Sequence, residues 1–415
     1  MKWNNDAAQI RTWIETLTQF NCTPEAGITR QLFTPEDMAA RKYIIGEMEA
    51  LGLKVSHDAI GNIYAVCEGT EPELAPVWSG SHLDTVYHGG AFDGISGVVC
   101  AMEAIRLIKE AGLSHKRNLV AVVFSGEEPA RFGIGCVGSR ALIGELSTEQ
   151  AKTYKDVNGI SLYDAMKEVG LDPEKLHEAK KHSGDVYASV ELHIEQNVHL
   201  DREGLPIGIV TSICAPSNLV VTVSGRSGHA GGMSMEERKD AFAAVCEMAL
   251  EIEKIGQTES TSDFTTATVG SVKVEPNQSN IIPGRVVFTV DVRDAAKSSK
   301  DRIMDLIQAA ILRIAEERGV KAEIHVQNHD TPMPCDPHLM DIIECHCKDM
   351  NLSYKKMVSG PFHDSLHIGE FAPVGMIFVP SRNGLSHCPE EWTDYEDVCR
   401  GSRVLASTLL DVANE

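Results

Sequence analysis

Two hydrophobic periods run along this chain, and they assign most of it to helices or strands. Apolar residues spaced by three or four predict helices over residues 6–20, 98–111 and 395–413. Near-continuous apolar runs at 118–124 and 186–192 predict strands that are buried on both faces. The same reasoning adds strands at 53–57, 62–66, 354–358 and 373–380, and helices at 34–52 and 337–350. This mixture predicts an α/β catalytic domain whose central, mostly parallel sheet is flanked by helices.

The middle of the chain follows a different order of elements. The pattern is strand, helix, two strands, helix and strand, at residues 219–223, 236–255, 266–274, 285–292, 299–318 and 321–326. This βαββαβ order is that of a ferredoxin-like sandwich. A chain of 415 residues is also too long for one ordinary core. We therefore predict a catalytic domain formed by residues 1–214 and 330–415, with residues 215–329 inserted as a second domain.

Composition and charge narrow the class of protein. Hydrophobic residues make up 43% and charged residues 24% of the chain, as in globular enzymes. The formal net charge of −22 argues against a nucleic-acid partner, which requires a basic surface. We see no apolar run near the roughly 20 residues that span a bilayer and no signal segment at the polar N-terminus. We therefore expect a cytoplasmic protein with no membrane partner, whose eleven cysteines are reduced.

Candidate chemistry concentrates in loops that follow predicted strands. Four such places carry side chains that could bind a metal, namely His82, Asp84 and Asp93, then Glu127 and Glu128, then His193, and finally His387. Catalytic groups of α/β folds lie at the carboxyl ends of strands, so these residues could share one site. Imidazole and carboxylate together suit Zn, Mn, Ni or Co better than Mg or Ca. Each feature alone is more often an ordinary polar strand end, so the prediction depends on their combination.

One Asp, one Glu and three His would be enough for two metals that share a carboxylate. Of the adjacent glutamates, one could bind metal while the other acts as general base on a water molecule. Asp84 lies two residues after His82 in an extended segment, and it could accept a hydrogen bond from the second imidazole nitrogen. His88 is chemically as eligible as His82, but it has no part in this arrangement.

The order and spacing of these motifs resemble the M20 metallopeptidase superfamily over nearly the whole chain. The matching motifs are His82-x-Asp84, Asp93-Gly94, Glu127-Glu128, His193-Ile194-Glu195-Gln196 and Ser386-His387. Within the superfamily the chain is similar to the hydantoinase/carbamoylase branch, which contains N-carbamoyl-L-amino acid hydrolases, allantoate amidohydrolases and ureidoglycolate amidohydrolases. Residues 127–134, 362–366 and 386–391 are most similar to the ureidoglycolate amidohydrolases.

The resemblance implies a two-metal site. The implied ligands are His82, Asp93, Glu128, His193 and His387, with Asp93 as the bridge. It also implies that Glu127 is the general base and acid, and that Asp84 orients His82. The expected cofactors are two divalent ions per subunit, Mn first, with Zn, Ni or Co as alternatives.

The resemblance also implies how substrate is bound. The implied contacts are Gln196, Asn280, Arg293, His363 and the backbone of Gly360, with Asn280 and Arg293 on the substrate carboxylate. The inserted domain is expected to be a lid and dimerisation domain of a homodimer, in which His229 reaches the neighbouring active site. From the residues alone, Arg293 could equally form a surface salt bridge to Asp291 or Asp294.

The implied activity is hydrolysis of the carbamoyl C–N bond of a small anionic ureido acid. Ureidoglycolate is the first expectation, giving glyoxylate, ammonia and carbon dioxide. An N-carbamoyl-L-amino acid hydrolase or an allantoate amidohydrolase is the alternative, and an aminoacylase or dipeptidase is a more distant one. A catalytically silent binding protein is a third class, against which the complete set of ligands and Glu127 argues.

Overall fold

The computed structural model describes Trp3, Asn5 and residues 7–415, and the chain divides into two compact units. The first unit comprises Met1–Thr211, Cys335–Met357 and His363–Glu415, and the second comprises Ser212–Pro334 and Val358–Phe362. The second domain expected from the sequence, residues 215–329, lies within the second unit, which also takes in residues 212–214, 330–334 and 358–362. Residue 6, where the first predicted helix begins, lies outside the described residues.

The helices largely follow the predicted pattern. They are α1 (Ala7–Leu17), α2 (Pro35–Ala50), α3 (Ile95–Glu110), α4 (Val137–Ile143), α5 (Thr148–Thr153), α6 (Leu162–Glu168), α7 (His199–Glu203), α8 (Ala241–Thr258), α9 (Lys297–Glu317), α10 (Pro337–Asp349), α11 (Ser365–Ile368) and α12 (Tyr395–Val412), with 3-10 turns at Pro173–Ala179, Met235–Glu237 and Arg382–Gly384. The helix predicted from residue 236 begins later, because the side chain of Asp240 caps the N–H groups of Phe242 and Ala243. Along the described residues, the helices are too short or too polar to cross a membrane.

The strands form a large sheet in the first unit and two smaller sheets in the second unit. They are β1 (Lys54–His57), β2 (Ile63–Cys67), β3 (Val77–His82), β4 (Leu119–Phe124), β5 (Ala188–Ile194), β6 (Ile207–Ile213), β7 (Ala215–Ser224), β8 (Gly228–His229), β9 (Thr265–Glu275), β10 (Ile281–Ile282), β11 (Arg285–Asp294), β12 (Lys321–His329), β13 (Met333–Pro334), β14 (Tyr354–Ser359) and β15 (Val374–Val379). The order in the large sheet is β1-β2-β4-β3-β5-β15-β6, and β14 pairs with β6. Strands β4, β3, β5 and β15 run parallel, while β1, β2 and β6 pair antiparallel. The predicted α/β architecture with a mostly parallel central sheet is confirmed.

Strand β3 is longer and more polar than its sequence suggests. Only residues 76–78 form an apolar run, yet all six residues of β3 are buried. A side chain at Gly80 would lie 1.9 Å from the carbonyl oxygen of Val122, so only glycine permits this close strand approach. The Ser81 hydroxyl donates to Glu191 Oε1 at 2.7 Å, which satisfies a polar group inside the sheet. The strand can therefore continue to His82 and hold that residue at its carboxyl end.

The second unit contains an antiparallel sheet in the order β12-β7-β11-β9. Every second residue of β11, from Val286 to Asp294, is buried, as expected for a strand with one covered face. The apolar side chains of α8 and α9 form one core with this face. Strands β8 and β10 pair as a separate two-stranded ribbon. The six main elements follow the βαββαβ order.

Candidate metal and catalytic site

Loops and strand ends of the first unit bring five candidate ligands together. His82 is the last residue of β3, and His193 lies near the end of β5. Asp93 directly precedes the turn into α3, Glu128 follows β4, and His387 follows β15. All these positions are carboxyl ends of neighbouring parallel strands, or loops that begin there. This is the edge at which α/β folds place their catalytic groups.

The five side chains form two groups that share Asp93. Asp93 Oδ1 lies 3.7 Å from His82 Nε2 and 3.1 Å from His193 Nε2. Asp93 Oδ2 lies 3.1 Å from His387 Nε2, which is itself 3.2 Å from Glu128 Oε1. In each group, three nitrogen or oxygen atoms lie within 4.8 Å of one another. Each group thus resembles part of a coordination shell.

Hydrogen bonds of the imidazole rings show that these groups suit a cation. His82 Nδ1 is 2.9 Å from the carbonyl oxygen of Asp84, and His193 Nδ1 is 2.9 Å from that of Ile194. A carbonyl only accepts, so each Nδ1 carries a proton, and Nε2 is the ring nitrogen directed towards Asp93. The N–H of Gly94 also donates to His193 Nε2, at 3.3 Å. Each Nε2 therefore faces a carboxylate across a proton or a cation, and imidazole nitrogen with carboxylate oxygen is a donor set that fits a divalent metal ion.

The crowded carboxylates shift several pKa values at the site. Burial lowers the pKa of His193, but Asp93 outweighs this and raises it to about 9. Hydrogen bonds with Asp93 and Glu128 raise the pKa of His387 to about 11. Burial, followed by the charge of Glu128, raises the pKa of the Glu127 carboxyl well above its usual range. The site therefore favours positive charge, and Glu127 has the raised proton affinity that a general base requires.

The two adjacent glutamates face different partners. Glu127 Oε2 lies 3.8 Å from His82 Nε2, whereas Glu128 Oε1 lies beside His387. The backbone N–H groups of Glu127 and Glu128 both donate to the Asp84 carboxylate, at 3.3 and 3.0 Å. The turn after β4 is thereby fixed with Glu127 beside the first group of side chains and Glu128 within the second.

The structure corrects the predicted role of the Asp84 side chain. The backbone carbonyl of Asp84, not its carboxylate, accepts the hydrogen bond from His82 Nδ1. Asp84 Oδ1 remains 3.7 Å from that nitrogen. The physical reason is competition, since the N–H groups of the turn after β4 occupy the carboxylate. Asp84 thus contacts His82 through its main chain.

Backbone conformation marks the same site. Gly94 has φ +68°, and a side chain there would lie 2.4 Å from the His82 ring. Gln196 and His387 also have left-handed φ values, +55° and +57°, which are uncommon for residues with a side chain. Gln196 Nε2 donates to Asp93 Oδ2 at 2.6 Å, so this predicted substrate contact touches the shared carboxylate. The ring of His363 is buried, and its centroid lies 4.4 Å from the centroid of the His193 ring.

The other predicted residues lie in the second unit. His229 is exposed on the β8–β10 ribbon, and the carbonyl of Asn280 accepts the N–H of Ala230 beside it. Arg293 Nε donates to Asp291 Oδ1 at 3.0 Å. This is one of the two surface salt bridges that the sequence allowed for Arg293. A Cβ atom added at Gly360 would lie 2.7 Å from a phenyl ring of the same unit, so this ring covers the glycine. His88, by contrast, is exposed in the first unit and lies in neither ligand group.

Sequence reasoning missed two charged residues beneath the ligands. Arg30 is fully buried, and its Nε donates at 2.8 Å to the carbonyl of Leu83, between His82 and Asp84. Glu191 lies two residues before His193 in β5 and therefore on the same face of the sheet. That spacing could have revealed Glu191, whereas nothing near Arg30 in the sequence points to the site.

A buried carboxylate late in the chain was also missed as part of the site. Glu391 accepts hydrogen bonds from the loop that carries Asp93 and from the loop that carries His387. Its position four residues after His387 was the available signal. Asp364, also buried, accepts the Ser139 hydroxyl at 2.6 Å, and burial raises its pKa to about 7.

Comparison with known proteins identifies the family. The model of peptidase family M20/M25/M40 matches residues 70–411. The chain belongs to this family. A ureidoglycolate hydrolase of Oryza sativa subsp. japonica is 40% identical over 410 residues, which cover 97% of this chain and 84% of that protein. An N-carbamoyl-L-amino-acid amidohydrolase of Paenarthrobacter aurescens is 38% identical over 403 residues, 97% of each chain.

A solved structure is also similar to this chain over its whole length. The crystal structure of AtUAH in complex with glyoxylate superimposes with a TM-score of 0.88 at 38% identity, over 100% of this chain and 99% of that one. The resemblance drawn from the motifs to the M20 amidohydrolases is therefore confirmed. This chain is therefore a hydrolase of family M20. Its clusters of His, Asp and Glu side chains are suited to binding divalent metal ions.

Proposed function

We propose that this M20 hydrolase is a dinuclear-metal amidohydrolase that cleaves the carbamoyl C–N bond of a small ureido acid, with ureidoglycolate as its substrate. The observation that carries the proposal is the pair of ligand groups sharing Asp93, with the buried Glu127 beside them. The similarity to a ureidoglycolate hydrolase supports the choice of substrate.

Five residues would hold two divalent ions per subunit. His82 and His193 would share Asp93 with Glu128 and His387, which matches the two groups found around that carboxylate. Mn is the proposed ion, with Zn, Ni or Co as alternatives, because mixed imidazole and carboxylate ligands suit all four. When bound, such ions polarise a carbonyl group and lower the pKa of a water molecule.

Glu127 would carry the proton through the reaction. As general base it would take a proton from the attacking water, and as general acid it would give that proton to the departing nitrogen. Loss of the terminal nitrogen as ammonia leaves an N-carboxylated fragment, which releases carbon dioxide. The remaining hydroxyglycine would then divide into glyoxylate and a second ammonia. One water is consumed in total, and the atoms balance.

Substrate would be held at its carboxylate. An Arg fork pairs bidentately with a carboxylate, which suits Arg293 for this role. Its present partner Asp291 lies at 3.0 Å and is a third exposed, so a substrate carboxylate would compete for a partly solvated pair. Asn280, Gln196, His363 and the backbone of Gly360 would supply the further contacts.

His229 has the proton arrangement needed to stabilise a developing oxyanion. The N–H of Gly231 donates to His229 Nδ1 at 3.1 Å, so in the neutral ring the proton is on Nε2. The exposed ring therefore presents an N–H donor to its surroundings. We propose that this donor serves the active site of a second copy in a homodimer and polarises the scissile carbonyl there.

The surface of the second unit suits that homodimer. Phe242, Cys246 and Leu250 are exposed at four-residue spacing along α8, which forms an apolar stripe. Strand β9 lies at an edge of its sheet, packs against α8 and exposes Val272. An edge strand beside an apolar helix face is suited to pairing with a second copy.

Sedimentation equilibrium would test the homodimer. We expect a Leu250→Glu, Val272→Lys double variant to be monomeric where the native protein is dimeric. Leu312→Glu is the matched control, since Leu312 is an exposed leucine on the other helix, α9. A double variant that stays dimeric would exclude this surface, and a monomeric native protein would exclude the dimer.

An N-carbamoyl-L-amino-acid hydrolase is the second candidate. It is favoured by the Paenarthrobacter relative, which matches this chain over 97% of both lengths. The two candidates would use the same ligands and Glu127. A cytoplasmic location is proposed for either, supported by the eleven free thiols.

Ammonia release from a panel of substrates tests the proposed function. The panel is ureidoglycolate, allantoate, N-carbamoyl amino acids and dipeptides, with dipeptide cleavage followed separately. Protein depleted of metal should be inactive, and Mn, Zn, Ni or Co should restore activity. Activity confined to dipeptides would contradict the ureido substrate, and full activity in the depleted protein would contradict the metal site.

A further inference from the structure

We infer that Glu391 is a positioning residue that sets the separation of Asp93 and His387. Its Oε1 accepts the backbone N–H groups of Phe92 and Asp93 at 2.9 and 3.0 Å. Its Oε2 accepts the Ser386 hydroxyl at 2.8 Å and the His387 N–H at 3.3 Å. One carboxylate thus joins two loops that are 298 residues apart in sequence. The inference rests on the proposed function, because it concerns how the metal ligands are held.

His387 is the ligand that most needs such support. His82 and His193 lie in strands of the central sheet and are almost completely buried, so packing fixes them. His387 lies in a loop, its side chain is 48% exposed, and its backbone has φ +57°. A residue held in this sparsely populated conformation persists only when its surroundings determine it. The hydrogen bond from its N–H to Glu391 is such a determinant.

The contacts of Glu391 distinguish it from a metal ligand. Both oxygens face N–H or O–H donors, and the residue is in neither ligand group. The Ser386 hydroxyl is also 2.8 Å from Asp93 Oδ2, so it bridges the positioning carboxylate and the shared one. A hydroxyl has one proton and donates to one of the two at a time. Glu391 therefore acts on the metal pocket through its neighbours.

Two further features hold Glu391 in place. A side chain at Gly90 would lie 2.3 Å from Cβ and Oε1 of Glu391, so the Asp93 loop can approach only because residue 90 is glycine. On the other side, the ring of Phe92 contacts those of Trp392 and Tyr395 with centroids 5.2 and 5.6 Å apart. The loop is thereby packed between a glycine contact and an aromatic cluster.

Mn²⁺ binding tests the inference. We expect Glu391→Ala to weaken binding at the Asp93–Glu128–His387 group about 10-fold to 100-fold, as for other residues that orient metal ligands. Calorimetry with Mn²⁺ alone should then detect one tight ion per subunit where the native protein binds two. Electron paramagnetic resonance should change from the spectrum of a coupled pair to that of an isolated ion. Glu391→Gln keeps the shape and one of the two acceptor oxygens, so it should retain more affinity than Glu391→Ala.

Further variants separate the possible outcomes. Gly90→Ala should reproduce the Mn²⁺ defect by displacing Glu391, and it decides the question if Glu391→Ala does not fold. Glu390→Gln, an exposed neighbour, is the matched control and should bind two ions. Two tight ions in Glu391→Ala and Gly90→Ala would overturn the inference. Failure of the native protein to bind Mn²⁺ or Zn²⁺ would instead overturn the proposed function.

Discussion

The Asp84 carboxylate accepts the backbone N–H of Glu128 at 3.0 Å, and it also accepts that of Glu127 at 3.3 Å. The main-chain carbonyl of the same residue accepts a hydrogen bond from His82 Nδ1 at 2.9 Å. Asp84 thus connects His82, a proposed ligand at the end of β3, with both glutamates that follow β4. The Asp84 side chain is buried, so its hydrogen bonds are shielded from water.

Asp84→Asn should disturb both glutamates without removing any proposed ligand. One carboxylate oxygen becomes an NH2 group, which faces a backbone N–H and cannot accept from it. Hydrogen bonds to a charged group contribute about 1.5–3 kcal/mol, so we expect kcat/KM to fall at least about 10-fold and Tm to decrease. Asp336→Asn is the control, because asparagine caps a helix as well as aspartate does. Unchanged kcat/KM in Asp84→Asn would contradict this role.

The two glutamates should respond differently to the same substitution. Glu127→Gln removes the proton carrier, so we expect kcat to fall about 10²-fold to 10⁴-fold with metal content unchanged. Glu128→Gln removes a proposed ligand, so metal content measured by plasma mass spectrometry should fall together with activity. Each variant is the control for the other. Metal loss in Glu127→Gln with retention in Glu128→Gln would mean that their roles are exchanged.

The parts of the fold with strong periodicity could be predicted from sequence. Strand β4 is apolar throughout, β5 alternates apolar residues with polar ones, and the buried residues of α12 include most of its apolar positions. Strand β3 was only partly predicted, because it contains serines and a glycine, and these residue types are typical of loops. Its polar groups are satisfied by tertiary contacts such as that of Ser81 with Glu191, which a local pattern does not contain.

The candidate ligands could be found in the sequence for a similar reason, and the residues that contact their loops could not. A carboxylate shortly after an apolar strand is visible in the sequence, as with Glu127 and Glu128 after β4. The partners of Asp84 and Glu391 depend on which backbone N–H groups remain unpaired after the strands assemble. Those partners lie 44 and 298 residues away, so local sequence reasoning does not reveal them.

Thiol reactivity should separate the cysteines by exposure. Cys22 and Cys345 are exposed and should react with a disulfide reagent in the native protein. Burial raises the pKa of Cys335 and Cys347 to about 12, so raising the pH from 7 to 9 should not make them reactive. Absorbance of the released thiolate measures both groups. Rapid modification of Cys335 or Cys347, located by peptide mass spectrometry, would contradict their burial.

Lys300 should give the second unit a pH-dependent stability. It is a fully buried cation on α9 whose ammonium donates to the carbonyl of Asp330. Burial lowers its pKa from 10.5 to about 8. Between these two values the unfolded chain binds a proton that the folded chain does not, so the free energy of unfolding should rise with pH across this window.

Comparison with Lys300→Met isolates that contribution from other groups that titrate at high pH. We expect the stability of the native protein relative to Lys300→Met to increase from pH 7 to pH 10, as measured by urea denaturation at each pH. Lys297→Met, which replaces an exposed lysine one turn earlier on α9, should show no such trend. Below pH 8 the folded chain keeps Lys300 charged although it is buried, which destabilises the fold. Above pH 8 Lys300 loses its proton in the folded chain, and this destabilisation is removed. A difference between native and Lys300→Met that stays constant with pH would contradict the lowered pKa.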